Sequence, residues 1–383
     1  MRDFVHLHLH SEYSLLDGAC RVSDIPKAVL DCGQKAVAIT DHGVMYGTLK
    51  FWKECKKNGI KPIIGCEVYV APGSMIDKNS GKDRKYYHLV LLVKDKIGYK
   101  NLIYMVSKAF TEGFYSRPRI DLELLREHSE GLIALSACLA GYIPQCLLID
   151  DFAEAKRHAE DMRSVFGEDY YLEIQDHGIG EQKIILPRLA ELSRETGIPM
   201  VATNDVHYLR KADAENQAIL MCIQTNSTVA DGKPVGFETD EFYLKNGDEM
   251  YELFGEYEDA VENTVRIAEK CNFDFETGTT YLPRYDVPDG ITPAEYLKNL
   301  ALDGIARRQN LGQIPAEHED YTKRMEYELS VIDSMGYSEY FLIVWDFVNY
   351  ARTQKIPVGP GRGSGAGSIV AYLIGITDVD PIK

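Results

Sequence analysis

The sequence of 383 residues lacks three features that would place it in familiar classes of protein. No run of about 18 apolar residues occurs, which excludes a membrane-spanning helix of ordinary length. The N-terminal residues carry no apolar signal region, so we expect a cytoplasmic protein. The eight cysteines are scattered, with no C-x-x-C pair, and we expect them to remain reduced thiols.

The sequence also has fewer positively than negatively charged residues. The chain has 42 Lys and Arg against 59 Asp and Glu, a formal net charge of -17. Neutralising nucleic-acid phosphates needs clustered Lys and Arg, so this balance argues against a general basic nucleic-acid binder. It leaves room for an enzyme that holds phosphates through metal ions and a few local cations.

Short β-rich runs alternate with amphipathic stretches over roughly the first two-thirds of the chain. The runs are Phe4–His8, Ala36–Thr40, Ile63–Val70, His88–Val93, Leu132–Ser136, Tyr170–Ile174 and Met200–Thr203. Such alternation predicts a parallel sheet covered by helices. Seven such strand–helix units favour a closed or nearly closed barrel. An open doubly wound sheet is the alternative, and periodicity alone cannot separate the two.

The character of the sequence changes near residue 280. The residues Thr292-Pro293-Ala294-Glu295 form a capping box with Pro at the first helical position. Three long helical patterns follow, over about 293–310, 317–335 and 338–353. We therefore predict two domains, 1–280 and 281–383.

Residues that ligate metals gather where the apolar runs end. His6, His8 and His10 alternate along the first run, and a strand of period two predicts that all three point to one side. The later members of the set are Asp17, Asp41, His42, Glu67, Cys138, Asn204, Asp205 and His207. In parallel α/β architectures the carboxyl ends of the strands meet on one face, so these side chains should share a pocket.

Histidine, carboxylate and one cysteine together suit Zn, Mn or Fe. A single histidine in a strand, or Cys138 alone, is more often a buried structural residue than a ligand. Repetition at several independent strand ends favours a multinuclear metal site. His128, His158, His177 and His318 lie in helical or loop contexts and are interpreted as structural.

Four segments resemble motifs of one known domain. The segment 4–19, FVHLHLHSEYSLLDGA, resembles the opening motif of the polymerase-and-histidinol-phosphatase (PHP) domain of C-family bacterial replicative polymerases. The segments 38–43 (AITDHG), 62–67 (PIIGCE) and 203–208 (TNDVHY) resemble its later motifs. The resemblance implies a distorted TIM-like (β/α)7 barrel, followed by a mainly helical α+β segment of the polymerase palm.

The resemblance also implies a trinuclear metal site that hydrolyses DNA phosphodiesters in the 3′–5′ direction, which is proofreading. His8, His10, Glu67 and Asp205 would hold one ion; Glu67, His88 and Cys138 a second; Asp17, His42 and His207 the third. Of these ligands, Asp205 and His207 are also the catalytic candidates, together with Asp41, which would orient a ligating histidine. His88 begins its apolar run, so only the motif assigns it.

A glycine-rich segment precedes the last apolar helix, in Val358–Ser368. Glycines let backbone N–H groups approach phosphate, and Arg362 adds a bidentate donor. No Gly-Lys-Ser/Thr follows, so the segment is not a Walker A loop. It resembles the nucleotide-binding segment of the C-family palm, and the candidate nucleotide contacts are Gly361, Arg362, Gly363, Ser364, Gly367 and Ser368.

By the same resemblance, the full-length protein would copy DNA with Mg²⁺ from a primer–template and dNTPs. Its partners would be a sliding clamp, the clamp-loader tau subunit and a proofreading subunit, with no membrane. We expect the chain to be a fragment that stops before the catalytic aspartates. Arg117 and Arg119 are candidate DNA contacts. Two alternatives remain: a metal-binding scaffold that docks partners, or a stand-alone small-molecule phosphoesterase.

Overall fold

The computed structural model describes residues 1–79, 85–229, 236–279 and 281–383. These form two compact units, Met1–Phe275 and Glu276–Lys383. The boundary predicted at residue 280 falls on a residue outside the described ranges, a few positions after the observed division. Among the described residues, no helix combines the length and the apolar character needed to cross a bilayer.

The first unit is built on a seven-stranded sheet. Its strands are β1 (Ala36–Ile39), β2 (Lys61–Val70), β3 (Tyr87–Val93), β4 (Arg119–Ile120), β5 (Leu132–Leu135), β6 (Tyr170–Ile174) and β7 (Met200–Ala202). They lie in the order β1-β2-β3-β5-β6-β7, with the short β4 paired to the end of β2. The predicted apolar runs therefore become neighbouring strands, except for the first run.

Ten helices flank the sheet in the described part of this unit, and several begin with aspartate caps. They are α1 (Ile25–Asp31), α2 (Thr48–Lys57), α3 (Lys96–Thr111), α4 (Leu122–Glu127), α5 (Tyr142–Leu148), α6 (Phe152–Phe166), α7 (Gly180–Thr196), α8 (Ala214–Thr225), α9 (Gly247–Leu253) and α10 (Glu258–Lys270). Asp95 accepts hydrogen bonds from the backbone N–H groups of Ile97 and Gly98 and so begins α3.

The first apolar run is an extended segment that joins the two ends of the sheet. His6 bridges to Val37 of β1, and Leu9 bridges to Val206, just beyond β7. The segment thus satisfies backbone groups at both edges of the sheet, which is how a barrel removes its exposed edges. The prediction of a distorted TIM-like barrel is confirmed.

One strand runs against the others, which corrects the expectation of an all-parallel sheet. β3 is antiparallel to both β2 and β5, whereas β1–β2, β5–β6 and β6–β7 are parallel. The described residues between β2 and β3 contain no helix. Parallel strands are usually joined by a helical crossover of a dozen or more residues, whereas antiparallel strands need no such crossover.

The second unit contains helices and no strand among its described residues, 276–279 and 281–383. Its helices are α11 (Pro293–Asn310), α12 (Glu319–Ser334), α13 (Ser338–Thr353) and α14 (Ile369–Leu373). The predicted capping box is present, because Thr292 Oγ1 accepts from the backbone of Glu295 and the Glu295 carboxylate accepts from the backbone of Thr292. Leu297, Met325 and Leu342 lie in one buried core with the residues of α14.

Candidate metal centre

At one end of the barrel, polar side chains point into the interior. Strand alternation explains which residues face that side. Along β2, Ile63 packs in the inner core, whereas Ile64 and Cys66 pack in the outer core beneath the helices. Continuing the alternation places Glu67 on the inner side, where it is fully buried. The same alternation along β6 places Tyr171 and then Glu173 on the inner side.

The direction of β3 explains why His88 belongs to this end. In the antiparallel register, His88 at the start of β3 pairs with Tyr69 near the end of β2. The amino end of β3 therefore lies beside the carboxyl ends of its neighbours. The sequence could not reveal this, because strand direction is decided by pairing.

A bulge in the first segment separates His6 from His8 and His10. The backbone N–H of Ala38 donates to His6 O, but that of Thr40, two residues on, donates to Leu9 O, three residues on. The extra residue in this segment reverses which side of the strand the following side chains face. The prediction that all three histidines share a side is wrong: the His6 ring bonds the carbonyl of Lys245 at 2.8 Å, and burial lowers its pKa to about 4.

Two histidine nitrogens and a carboxylate oxygen form the first part of the cluster. His8 Nε2, His10 Nε2 and Asp205 Oδ1 lie 3.1 Å from one another. His8 Nδ1 donates to Glu173 Oε1 at 2.7 Å. His10 Nδ1 donates to Ser14 Oγ at 3.0 Å, since the Ser14 hydroxyl proton goes to Asp41. Both rings therefore turn Nε2 toward Asp205. Burial by itself would lower the pKa of His8, but Asp205 and Glu173 outweigh it and raise this pKa well above its ordinary value, so the group favours a positive charge at this point.

Glu67 is the centre of the cluster. Its Oε1 lies 2.8 Å from His88 Nδ1, 3.3 Å from His8 Nε2 and 3.8 Å from Cys138 Sγ. Its Oε2 lies 2.5 Å from His42 Nδ1. The Cys138 sulfur lies 3.7 Å from His88 Nδ1, so these two residues and Glu67 form a compact group.

The third group joins a loop to two strand ends. Asp17 Oδ2 lies 3.1 Å from His42 Nε2, and Asp17 Oδ1 lies 3.7 Å from His207 Nε2. His207 Nδ1 donates to the Asp205 carbonyl at 2.8 Å, which leaves its Nε2 as an acceptor. Asp205 itself has φ +42°, a left-handed conformation that non-glycine residues seldom adopt. Such backbone strain concentrates at functional sites.

All nine sequence-predicted ligands thus lie in one contact network. Subsets offer ligand atoms within 4.8 Å of one another: His8, His10 and Glu67; His42, Glu67 and His88; His10, His42 and His207. The first subset falls within the predicted first ion site. His42 touches both Glu67 and Asp17, so it stands between the predicted second and third sites.

The cluster carries an excess of negative charge that only histidines balance. Among the described residues, Asp17, Glu67 and Asp205 form ion pairs only with imidazoles. Burial by itself would lower the pKa of His42, but Glu67 and Asp17 outweigh it and raise this pKa to about 10. A demand for positive charge among buried carboxylates is what a divalent-ion site presents, so the residues fit metal ions.

The Cys138 thiol and the Glu67 carboxyl also favour a positive charge nearby. Burial raises the pKa of the Cys138 thiol well above its ordinary value, and Glu67 adds to the effect. Burial would also raise the pKa of Glu67, but His88 and His42 outweigh it and hold this pKa well below its usual range. A cation beside Cys138 would therefore be needed to hold it as a thiolate.

Asp41 does not reach the ligand atoms directly. Its buried carboxylate accepts from the backbone and hydroxyl of Ser11 at 2.6 and 2.8 Å and from the Ser14 hydroxyl at 2.8 Å. Ser14 in turn holds His10 Nδ1. Asp41 therefore positions His10 through Ser14.

Sequence reasoning missed Glu173, which positions His8. Its carboxylate is 1% exposed and accepts from His8, from Gln175 at 2.8 Å and from Thr203 at 2.5 Å. The available signal was a single carboxylate inside the apolar run Tyr-Tyr-Leu-Glu-Ile. A carboxylate in a buried strand needs partners, so it marks either a polar network or a site.

The two arginines predicted as DNA contacts differ in position. Arg119 is fully buried, and its guanidinium donates to the carbonyls of Gly113, Met75 and Asp77. It holds the surrounding loops and is unavailable to DNA, so that prediction is wrong. Arg117 is exposed, with its guanidinium 5.7 Å from the centre of the Tyr69 ring at a pocket beside the cluster.

The glycine-rich segment of the second unit is open. Residues 361–365 are exposed, and Gly363–Gly367 form a short 3-10 turn. A side-chain carbon added at Gly365 or Gly367 would meet nothing within 4 Å, so packing within the chain does not require glycine there. Gly363 has equally open surroundings, and its φ of +55° by itself favours glycine. Space for backbone to approach an external group is a second reason for glycine.

The start of α14 already holds a carboxylate. Glu328 Oε2 accepts from Ser368 Oγ at 2.8 Å and from the backbone N–H of Val370 at 3.2 Å. Ser368 also caps the helix by accepting from Ala371 N at 3.1 Å. Of the six candidate nucleotide contacts, Ser368 is thus engaged within the chain.

Comparison with known proteins first defines the class. Residues 6–177 match the family model of the PHP domain, and residues 295–383 match that of the bacterial DNA polymerase III alpha NTPase domain. Among solved structures, an amidohydrolase from Chromobacterium violaceum aligns over 53% of this chain and 87% of its own, at 16% identity and a TM-score of 0.35. The first unit is a PHP domain, with a His, Asp, Glu and Cys cluster suited to metal.

The particular family follows from closer relatives. The DNA polymerase III alpha subunits of Borreliella burgdorferi and Treponema pallidum are 49% and 48% identical, each over 99% of this chain. The chain belongs to the family of bacterial DNA polymerase III alpha subunits, as the sequence motifs indicated. It spans about a third of the length of these curated relatives, 33% and 32%.

Proposed function

We propose that the PHP domain is a metal-dependent nuclease that removes nucleotides from the 3′ end of DNA. The observation that carries the proposal is the convergence of nine ligand-type residues on one polar end of the barrel, with imidazole nitrogens and carboxylate oxygens facing one another. Such a donor set suits three divalent ions, of Zn, Mn or Fe.

His8, His10, Glu67 and Asp205 would hold one ion; Glu67, His88 and Cys138 a second; Asp17, His42 and His207 the third. When bound, such ions lower the pKa of water and offset charge on a scissile phosphodiester. The protein's own contribution is orientation. Glu173 and Ser14 fix the Nδ1 protons of His8 and His10, and the Asp205 carbonyl fixes that of His207.

For the longer protein to which this chain belongs, we propose DNA-templated DNA synthesis from dNTPs with Mg²⁺. The curated relatives are named as DNA polymerase III alpha subunits, which supports this role. The open backbone around Gly363 and the exposed Arg362 would contact the triphosphate of the incoming nucleotide. A primer–template, a sliding clamp, the tau subunit and a proofreading subunit would be its partners.

A 3′-exonuclease assay on a primer–template with a 3′ mismatch tests the nuclease proposal. The chain, supplied with Mn²⁺ or Zn²⁺, should release 3′ nucleotides, and chelation should stop the release. Asp205→Asn and His8→Ala should lose both activity and bound metal, measured by elemental analysis. His128→Ala is the matched control, because His128 contacts Asn101 and Tyr104 outside the cluster.

Metal-loaded chain that leaves the mismatched end intact would contradict the nuclease proposal and favour a scaffold that binds metal for stability. Equal activity in Asp205→Asn would place the hydrolysis elsewhere. Turnover of small phosphate monoesters, with DNA untouched, would favour a small-molecule phosphoesterase.

A further inference from the structure

The pocket beside the metal cluster is bordered by aromatic rings. Three cluster residues, Asp17, His42 and His88, form part of its wall. Six of the other thirteen wall residues are aromatic: Tyr13, Tyr46, Tyr69, Tyr86, Phe110 and Phe114. A site for a small, highly charged phosphate has no use for so much apolar ring surface.

Three of these rings are exposed and adjacent, and we call them the aromatic track: Tyr46, Phe110 and Phe114. Their exposed fractions are 63%, 38% and 48%. The centres of the Tyr46 and Phe110 rings lie 6.5 Å apart, and those of Phe110 and Phe114 lie 6.2 Å apart with planes inclined by 25°. Exposed neighbouring rings of this kind mark a binding surface.

The inner part of the same pocket continues to the metal ligands through further rings. Tyr86 contacts Tyr69 at 4.9 Å between ring centres and stacks on His88 at 6.0 Å. Tyr69 also stacks with His42 at 6.3 Å. Aromatic rings therefore line this pocket both at the aromatic track and against the ligands.

Arg117 places one positive charge on this wall, near Tyr69. Within the part of the chain that the structure describes, no carboxylate lies within ion-pair distance of Arg117, unlike Lys50 and Lys108, which pair with Glu12 and Glu112. An arginine without a carboxylate partner in the described residues, beside stacked rings, matches the two chemical features of a DNA strand: phosphate and base.

We propose that the aromatic track binds the unpaired bases of a single-stranded 3′ DNA end, with Arg117 on its phosphate, and so selects frayed ends. This rests on the proposed nuclease function and specifies its substrate. Bases inside a duplex are stacked on one another and cannot lie on the track, whereas every unpaired base offers a face for stacking.

Fluorescence anisotropy with a labelled, phosphorothioate-linked oligothymidylate, which resists hydrolysis, tests the track on the metal-loaded chain. Phe110→Ala and Phe114→Ala should each weaken binding about 5- to 100-fold, and Phe114→Trp should retain it. The matched control is Tyr104→Ala, which removes another exposed ring of α3 that is not part of the pocket wall. A blunt duplex should compete poorly.

In hydrolysis, the track variants should raise KM for cleavable oligothymidylate with little change in kcat. Unchanged binding in both alanine variants, or equal loss in Tyr104→Ala, would overturn the track, as would tight duplex binding with the same sensitivity. Binding that depends on the track, in a chain without hydrolysis, would support the track and refute the nuclease. Hydrolysis with an unchanged KM in the variants would support the nuclease and refute the track.

Discussion

The metal cluster of the first unit and the glycine-rich segment of the second are organised in opposite ways. The cluster consists of buried side chains, and partners such as Glu173 and Ser14 fix its histidines in one orientation. The segment consists of exposed backbone with open space around Gly363 and Gly365. The metal cluster is therefore organised before any ligand binds, whereas the glycine-rich segment offers open space for a ligand to occupy.

The largest test of this comparison is removal of the central charge of the cluster. Glu67→Gln keeps the size of the side chain but removes the carboxylate that contacts His8, His42, His88 and Cys138. We expect bound metal to be lost and 3′-exonuclease activity to fall more than about a hundredfold, since even residues that only orient ligands change affinity or activity roughly 10- to 100-fold. Full metal content and activity would show that the cluster is not the site.

A smaller effect should come from the partner of His8. Glu173→Gln removes the charge that fixes the His8 Nδ1 proton. We expect metal affinity to fall roughly 10- to 100-fold while the fold is retained. Competition with a chromogenic chelator measures the affinity, and Glu191→Gln, a change in α7, serves as the control. Unchanged affinity would mean that the cluster does not depend on this orientation.

Acid should weaken the first unit through a buried neutral histidine. His177 donates through Nε2 to Asn204 O and accepts at Nδ1 from Gln182, so protonation breaks a contact. Burial lowers its pKa from 6.5 to about 4. The unfolded chain takes up this proton first, so stability falls as pH drops from 6.5 toward 4.

Between pH 6.5 and about pH 5, this histidine should remove about 1–2 kcal/mol of the free energy of unfolding. Urea unfolding at both pH values measures the loss, which should be smaller in His177→Gln. The same change at the half-buried His128 is the control. An equal pH dependence in wild type and His177→Gln would contradict the assignment.

The smallest effect should come from the organised end of the glycine-rich segment. Ser368→Ala removes the cap of α14 and the contact with Glu328, which should cost about 1 kcal/mol of stability in urea unfolding. Ser364→Ala, at an exposed position, should change stability by less than about 0.5 kcal/mol. Equal losses would mean that the whole segment is as organised as its end.

Much of the fold could be predicted because the sequence features that specify it are local. The capping box at Thr292 and the three helices after it follow from spacing and cap chemistry, and all are present. Metal-ligand types at several strand ends predicted a cluster, and the nine residues do meet. Arg119 shows the limit, because an arginine in a turn looks the same in sequence whether it faces solvent or three buried carbonyls.

The sequence by itself determined which residue types stand at each strand end, where the helices begin, and that glycines gather before α14. Only the tertiary structure decided which side chains meet. The reversed β3 brings His88 to the cluster, a bulge turns His6 away from it, and barrel closure buries Glu173 beneath His8. Strand direction and register depend on pairing between distant segments, and such pairing leaves no mark in local periodicity.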